Sequence, residues 1–117
     1  MSSPLKVWLD REGQLLRLRL AQPKANIVDA AMIAALSQAL DGHLDDGTLK
    51  AILLDAEGPH FSFGASVEEH MPDQCADMLA ALHALVLKLA GAPVPVLVAV
   101  QGQCLGGGLE VVLACSR

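Results

Sequence analysis

The chain reads as an α/β domain, and three observations carry that reading. Strand-like runs alternate with runs of helical spacing in the order β-β-α-β-α-β-α. Two runs, Ala51-Ile52-Leu53-Leu54-Asp55 and Val94 to Val100, are apolar almost throughout, as parallel strands covered on both faces are. The second leads through Gln101-Gly102-Gln103-Cys104-Leu105-Gly106-Gly107-Gly108 into a last apolar stretch, so a buried strand turns through glycines into a helix.

In order, Val7 to Asp10 and Leu15 to Leu20 flank Arg11-Glu12-Gly13 and predict a hairpin. Leu16, Leu18 and Leu20 alternate with Arg17 and Arg19, which predicts one buried face and one wet face. Gln22-Pro23-Lys24-Ala25-Asn26 predicts a loop. Asp29 is placed to cap a helix from Ala30 to about Leu40, with Met32, Ile33, Leu36 and Leu40 on one face. Asp45-Asp46-Gly47 ends that unit. A loop from Ala56 to Gly64 follows the third strand. Pro72-Asp73 opens a long helix in which Met78, Leu82, Leu85 and Leu89 recur at helical spacing, and Gly91-Ala92-Pro93 stops it. Val94 to Val100 is the fourth strand, and Leu109 to Cys115 the last helix. Right-handed crossovers are expected between the parallel strands. No repeat or linker divides the chain.

Composition narrows the function classes. With 117 residues, 53% of them hydrophobic, and a mean hydropathy of +0.44, the chain is at most one domain and apolar for its size. Asp77, His83, Lys88, Pro93 and Pro95 interrupt its most apolar half, so no membrane span is predicted. Met1 to Lys6 lacks the apolar core of a signal peptide. Cys75, Cys104 and Cys115 are odd in number and form no C-x-x-C pair, which points to reduced thiols and a cytoplasmic location. The net charge of −5, with eight scattered Lys and Arg, two Phe, one Trp and no Tyr, argues against a nucleic-acid partner. His43, His60, His70 and His83 show no metal-ligand spacing, and no metal is expected. Cys104 has no partner base in view and reads as a small buried residue. Glu68-Glu69-His70 reads as a solvated loop or as a gating cluster.

In open α/β sheets ligands sit at the carboxyl ends of strands. Two such ends here carry unusual loops: Pro59-His60-Phe61-Ser62-Phe63-Gly64-Ala65-Ser66 and the triple-glycine turn. Were the two strands neighbours, the N–H groups of Ala65 and Gly107 would converge on one oxygen. N–H groups at a helix start suit a negatively charged oxygen, and Glu110 would stand beside it. Glycines before a helix also serve tight strand–helix packing, and a glutamate in a first turn also suits the helix dipole. Spacing alone leaves both readings open.

Three segments, in order and at matching spacing, resemble the enoyl-CoA hydratase/isomerase (crotonase) family. They are Phe61-Ser62-Phe63-Gly64-Ala65-Ser66-Val67, Gly102-Gln103-Cys104-Leu105-Gly106-Gly107-Gly108-Leu109-Glu110, and the earlier Pro23-Lys24-Ala25-Asn26-Ile27-Val28-Asp29. The resemblance runs from about Leu5 to Arg117. It implies a crotonase-like (ClpP/crotonase) β-β-α spiral, of which residues 1–117 would be the N-terminal part of a single, truncated domain. It assigns the oxyanion N–H groups to Ala65 and Gly107, and one of two water-handling glutamates to Glu110. Lys24 and Ala25 would lie along the CoA, and Ala65, Ser66, Val67, Glu68 and Gly107 would line the thioester and its carrier. Ser66 stands where the family usually has Asp, a departure that bears on fine specificity more than on binding.

The implied reaction adds water across a double bond conjugated to a CoA thioester, with no cofactor, because the thioester is itself the electron sink. Ser62 to His70 and Gln103-Cys104-Leu105 look most like hydratases of a cyclic dienoyl-CoA in benzoyl-CoA degradation. Two alternatives stay open: an enoyl-CoA isomerase of the same family and a non-catalytic acyl-CoA-binding subunit. A nicotinamide-binding Rossmann domain fits poorly, for no G-x-G-x-x-G occurs. Family chains are more than twice this long, assemble as homotrimers or hexamers, and place their second glutamate in a stretch that would fall beyond Arg117. The 117-residue chain alone is therefore expected to be poorly soluble and inactive.

Overall fold

A computed structural model describes residues 4–22, 26, 29–58, 61–62, 75–102 and 115, with the side chains of 75 and 78 excepted. Its elements are β1 (Leu5–Asp10), β2 (Leu15–Leu20), α1 (Ala30–His43), β3 (Ala51–Ala56), α2 (Cys75–Ala90) and β4 (Val96–Val98). The four strands form one sheet in the order β1-β2-β3-β4. β1 runs antiparallel to β2, while β2, β3 and β4 are mutually parallel. The expected α/β order therefore holds through β4. The last predicted helix, Leu109 to Cys115, lies outside the described residues except for Cys115.

The hairpin is built as its sequence asks. Arg11 and Glu12 take left-handed φ angles of 55° and 58°, and Gly13 follows at 87°. The Gly13 N–H donates to the Asp10 carbonyl at 3.1 Å, closing a turn whose twist matches that of paired strands. α1 begins at its predicted cap: Asp29 Oδ1 accepts from the Met32 N–H at 2.9 Å, satisfying a donor that the helix start leaves orphaned. It runs three residues beyond Leu40, through Gly42 to His43. The Leu44 N–H then bonds the Leu40 carbonyl to close it.

The sheet has two unlike faces. Leu16, Leu18 and Leu20 share theirs with Ile52, Leu54 and Val96 through the register of the parallel pairs. All six are buried, together with Met32, Ile33, Leu36 and Leu40 of α1 and Leu82, Leu85 and Leu89 of α2. α1 thus contributes its predicted apolar face to one core, and α2 contributes Leu82, Leu85 and Leu89 of its own, the Met78 side chain lying outside the described residues. Covering an apolar sheet face in this way removes each leucine from water, a gain of roughly 1.5–3 kcal/mol per side chain.

The opposite face corrects two expectations. Arg17 and Arg19 are half-buried rather than wet. Asp55 accepts from Arg19 Nε at 3.0 Å and Nη2 at 2.9 Å, and from Arg17 Nη2 at 3.1 Å, while Arg17 Nη1 also reaches Asp10 at 3.2 Å. Trp8 lies against both guanidinium groups, 4.9 Å and 5.1 Å from its ring centre. Leu53, paired with Leu97 on this side, is half-buried and Leu97 is 37% exposed. The continuous apolar run of β3 is thus fully covered on one face only, among the described residues. β4 is also shorter than predicted at both ends, and at its start Pro95 has no N–H to give the ladder. Pairing continues past its ends through Ile52 N–H to the Pro95 carbonyl and Ala99 N–H to the Leu54 carbonyl. No helix among the described residues is long and apolar enough to cross a membrane.

The hydrogen bonds from Arg19 hold the Asp55 carboxyl below the ordinary carboxylate range. They outweigh the partial burial that opposes them, and the charges of both arginines act in the same sense. A carboxyl lowered on folding stabilises above its unfolded pKa of about 3.9, and that contribution fades as pH falls through its folded value. In the whole protein, Asp55→Asn is expected to lower the melting temperature at pH 7, with the gap from the parent narrowing as the pH falls below the ordinary carboxylate range. A series of thermal scans from neutral to acid pH checks this. A gap indifferent to pH would mean that Asp55 acts through packing rather than charge.

Candidate active site

Because β2, β3 and β4 are parallel, their carboxyl ends share one sheet edge, and the three singled-out segments all leave from it. The adjacency on which the oxyanion reading depended, β3 beside β4, is present. The departing chains are tied to one another at once. Beyond β3, the Glu57 N–H donates to the Leu20 carbonyl at the end of β2, 2.8 Å away. Further along, the Phe61 N–H donates to the Gln101 carbonyl at 2.8 Å, so the segment leading to Ala65 rests on the residue before Gly102. The Gln101 side-chain amide returns the contact by donating to the Gly58 carbonyl. Gly58 and Gly102 both have positive φ, 88° and 62°, which lets each chain bend sharply as it leaves the sheet.

Asn26 knots the third segment into this edge. It is 4% exposed and holds a left-handed φ of 45°, a conformation that asparagine tolerates better than most residues. Its side-chain oxygen accepts from the Gln22 N–H at 2.9 Å, and its amide nitrogen donates to the Glu57 carbonyl at 3.1 Å. Its own carbonyl accepts the hydroxyl of Ser62, a fully buried side chain, at 2.8 Å. Upstream, Gln22 Nε2 donates to Asp29 Oδ2 at 3.0 Å, so the loop is clasped at both ends while Asp29 also caps α1. Phe61, fully buried, anchors the segment after β3 in the core.

Sequence reasoning named Lys24, Ala25, Ala65, Ser66, Val67, Glu68, Gly107 and Glu110. All eight lie outside the described residues, as do His60, His70 and Cys104. What the structure does bring together is the stems that carry them: Asn26 follows Ala25, Ser62 precedes Ala65 by three residues, and Gly102 precedes Gly107 by five. Neither Ser62 nor Asn26 had been singled out for a contact of its own. Only a buried polar residue beside a motif could have flagged them. The other chemical candidates sit elsewhere. His43 ends α1 with Nδ1 2.8 Å from the Ala39 carbonyl, and His83 is exposed on α2. Cys115 is half-buried, and that burial pushes its thiol up to about 11, leaving it protonated at neutral pH. Among the described residues no three His, Cys, Asp or Glu side chains are grouped to hold a metal ion.

Residues 10–116 match the family model for enoyl-CoA hydratase/isomerase. The chain is 74% identical over 113 residues to the cyclohexa-1,5-dienecarbonyl-CoA hydratase of Thauera aromatica, which covers 97% of this chain and 44% of that protein. It is 37% identical over 119 residues to the carnitinyl-CoA dehydratase of Salmonella arizonae, with 97% and 44% covered. Its fold superposes on the crystal structure of an enoyl-CoA hydratase from Mycobacterium smegmatis with a TM-score of 0.90. There the identity is 26%, and 97% of this chain and 46% of that one are covered. The chain thus spans less than half the length of the curated relatives it matches.

Proposed function

Since the chain belongs to the enoyl-CoA hydratase/isomerase family, we propose that the whole protein is a hydratase that adds water to a double bond conjugated to a CoA thioester. A cyclic dienoyl-CoA of benzoyl-CoA degradation is the substrate this reading favours. The 74% identity to a relative named cyclohexa-1,5-dienecarbonyl-CoA hydratase is the observation that carries it. Residues 1–117 would form the N-terminal part of a single crotonase-like domain, in a cytoplasmic homotrimer or hexamer.

The chemistry follows from where charge develops. Water adds its oxygen to the carbon β to the thioester carbonyl, and the displaced π electrons collect on the thioester oxygen as an enolate. The N–H groups of Ala65 and Gly107 would hold that oxygen, each donor worth roughly 3 kcal/mol of barrier. Glu110 would position the water and take its proton, and a proton delivered to the α-carbon completes the addition. The thioester accepts the electrons throughout, so no cofactor is needed. Lys24 and Ala25 would lie along the carrier, and Ser66, Val67 and Glu68 beside the acyl group. Support for this arrangement comes from the shared sheet edge and from the Phe61–Gln101 bond between its two stems.

A spectrophotometric screen of enoyl- and dienoyl-CoA thioesters tests the reading, since hydration removes the conjugated absorbance. Rapid loss with a cyclic dienoyl-CoA is expected. Calorimetry should show binding of CoA thioesters and none of a nicotinamide dinucleotide. A folded whole protein that binds no thioester would sink the proposal.

A further inference from the structure

The hydrogen bond from Ser62 to Asn26 joins two segments that the functional reading treats separately. One is the loop of residues 23–29, assigned to the carrier. The other is the segment after β3, assigned to the thioester oxygen. The two partners are thirty-six positions apart, both are buried, and their bond is 2.8 Å long. Asn26 is itself fixed by the Gln22 N–H and the Glu57 carbonyl, and its backbone holds a left-handed φ of 45°. A buried neutral hydrogen bond between two otherwise separate loops costs little where it is satisfied, and it defines their relative position closely.

We propose that Ser62 is a positioning residue: its hydroxyl, bonded to the Asn26 carbonyl, latches the oxyanion segment to the carrier loop and so sets where the Ala65 N–H stands. This rests on the hydratase reading above. Ser62 touches no reacting atom in it and acts through the segment three residues onward. Loss of the latch lets the donor drift from the oxygen that becomes charged in the transition state, while the carrier still finds its loop. The effect should therefore fall on kcat and spare KM.

In the whole protein, Ser62→Ala is expected to lower kcat about tenfold, the range that one neutral hydrogen bond covers, with KM altered less than about threefold. Ser62→Cys keeps the volume but donates more weakly, and its kcat should fall between the two. Amide hydrogen exchange without ligand gives a second readout: Ser62→Ala should speed exchange in 23–29 and in 61–67 together. Unchanged kcat in a folded Ser62→Ala protein overturns the proposal, as does faster exchange confined to the neighbourhood of residue 62. Should the parent turn over no thioester, the hydratase reading fails by itself, and coupled exchange in the two loops still decides whether the latch exists.

Discussion

Valine in place of Gly107 is expected to abolish turnover in a whole protein that still folds. On the proposed reading the N–H of Gly107 is one of two donors to the thioester oxygen, and removing or tilting such a donor costs about 10²- to 10³-fold in kcat. A branched side chain there does more than tilt the amide. On the same reading it would occupy the space through which the oxygen approaches the backbone, and the substrate would be held off the other donor as well. The segment leaves β4 by way of Gly102, and its stem is held by the bond from the Phe61 N–H to the Gln101 carbonyl, which the substitution does not touch. Circular dichroism and melting temperature separate misfolding from misplacement, and Gly107→Ala provides a milder step between the two chains. Retained turnover in a folded Gly107→Val protein would remove Gly107 from the oxyanion site.

How far the sequence foretold this depends on how local each signal is. The cap at Asp29 and the Arg11-Glu12-Gly13 turn are set by atoms a few residues apart, and both stand where the sequence placed them. The leucine faces of α1 and α2 were equally plain, since helical periodicity alone defines them. Strand ends were harder, because pairing depends on a partner far along the chain. β1 starts at Leu5 rather than Val7 because Leu20 lies opposite, a register that no local pattern announces. Arg17 and Arg19 look like solvent-facing residues until Asp55, on another strand, arrives between them. The candidate site divides along the same line. Its motifs are legible in the sequence through their resemblance to a family, whereas the adjacency of β3 and β4, on which the oxyanion reading was conditional, and the Asn26–Ser62 bond come only from the fold.

Glutamine at position 110 should separate chemistry from binding. The substitution keeps the size of Glu110 and most of its hydrogen-bonding capacity, and removes only the ability to take a proton from water. General base catalysis by a positioned carboxylate contributes about 10²- to 10⁴-fold, so hydration should fall by roughly 10²-fold or more. Thioester affinity should survive, because the polarising donors of the proposed reading would be backbone groups that a side-chain change leaves in place. The competing role for Glu110 is that of an acidic residue in the first turn of a helix, favoured by the helix dipole and worth about 0.3–1 kcal/mol. That role predicts the reverse pattern: a small loss of stability with nearly intact rates. Single-turnover rates, thioester affinity by calorimetry and a melting curve on one Glu110→Gln preparation discriminate the two. A rate within a few-fold of the parent would leave Glu110 with the helix and return the question of the base to another carboxylate.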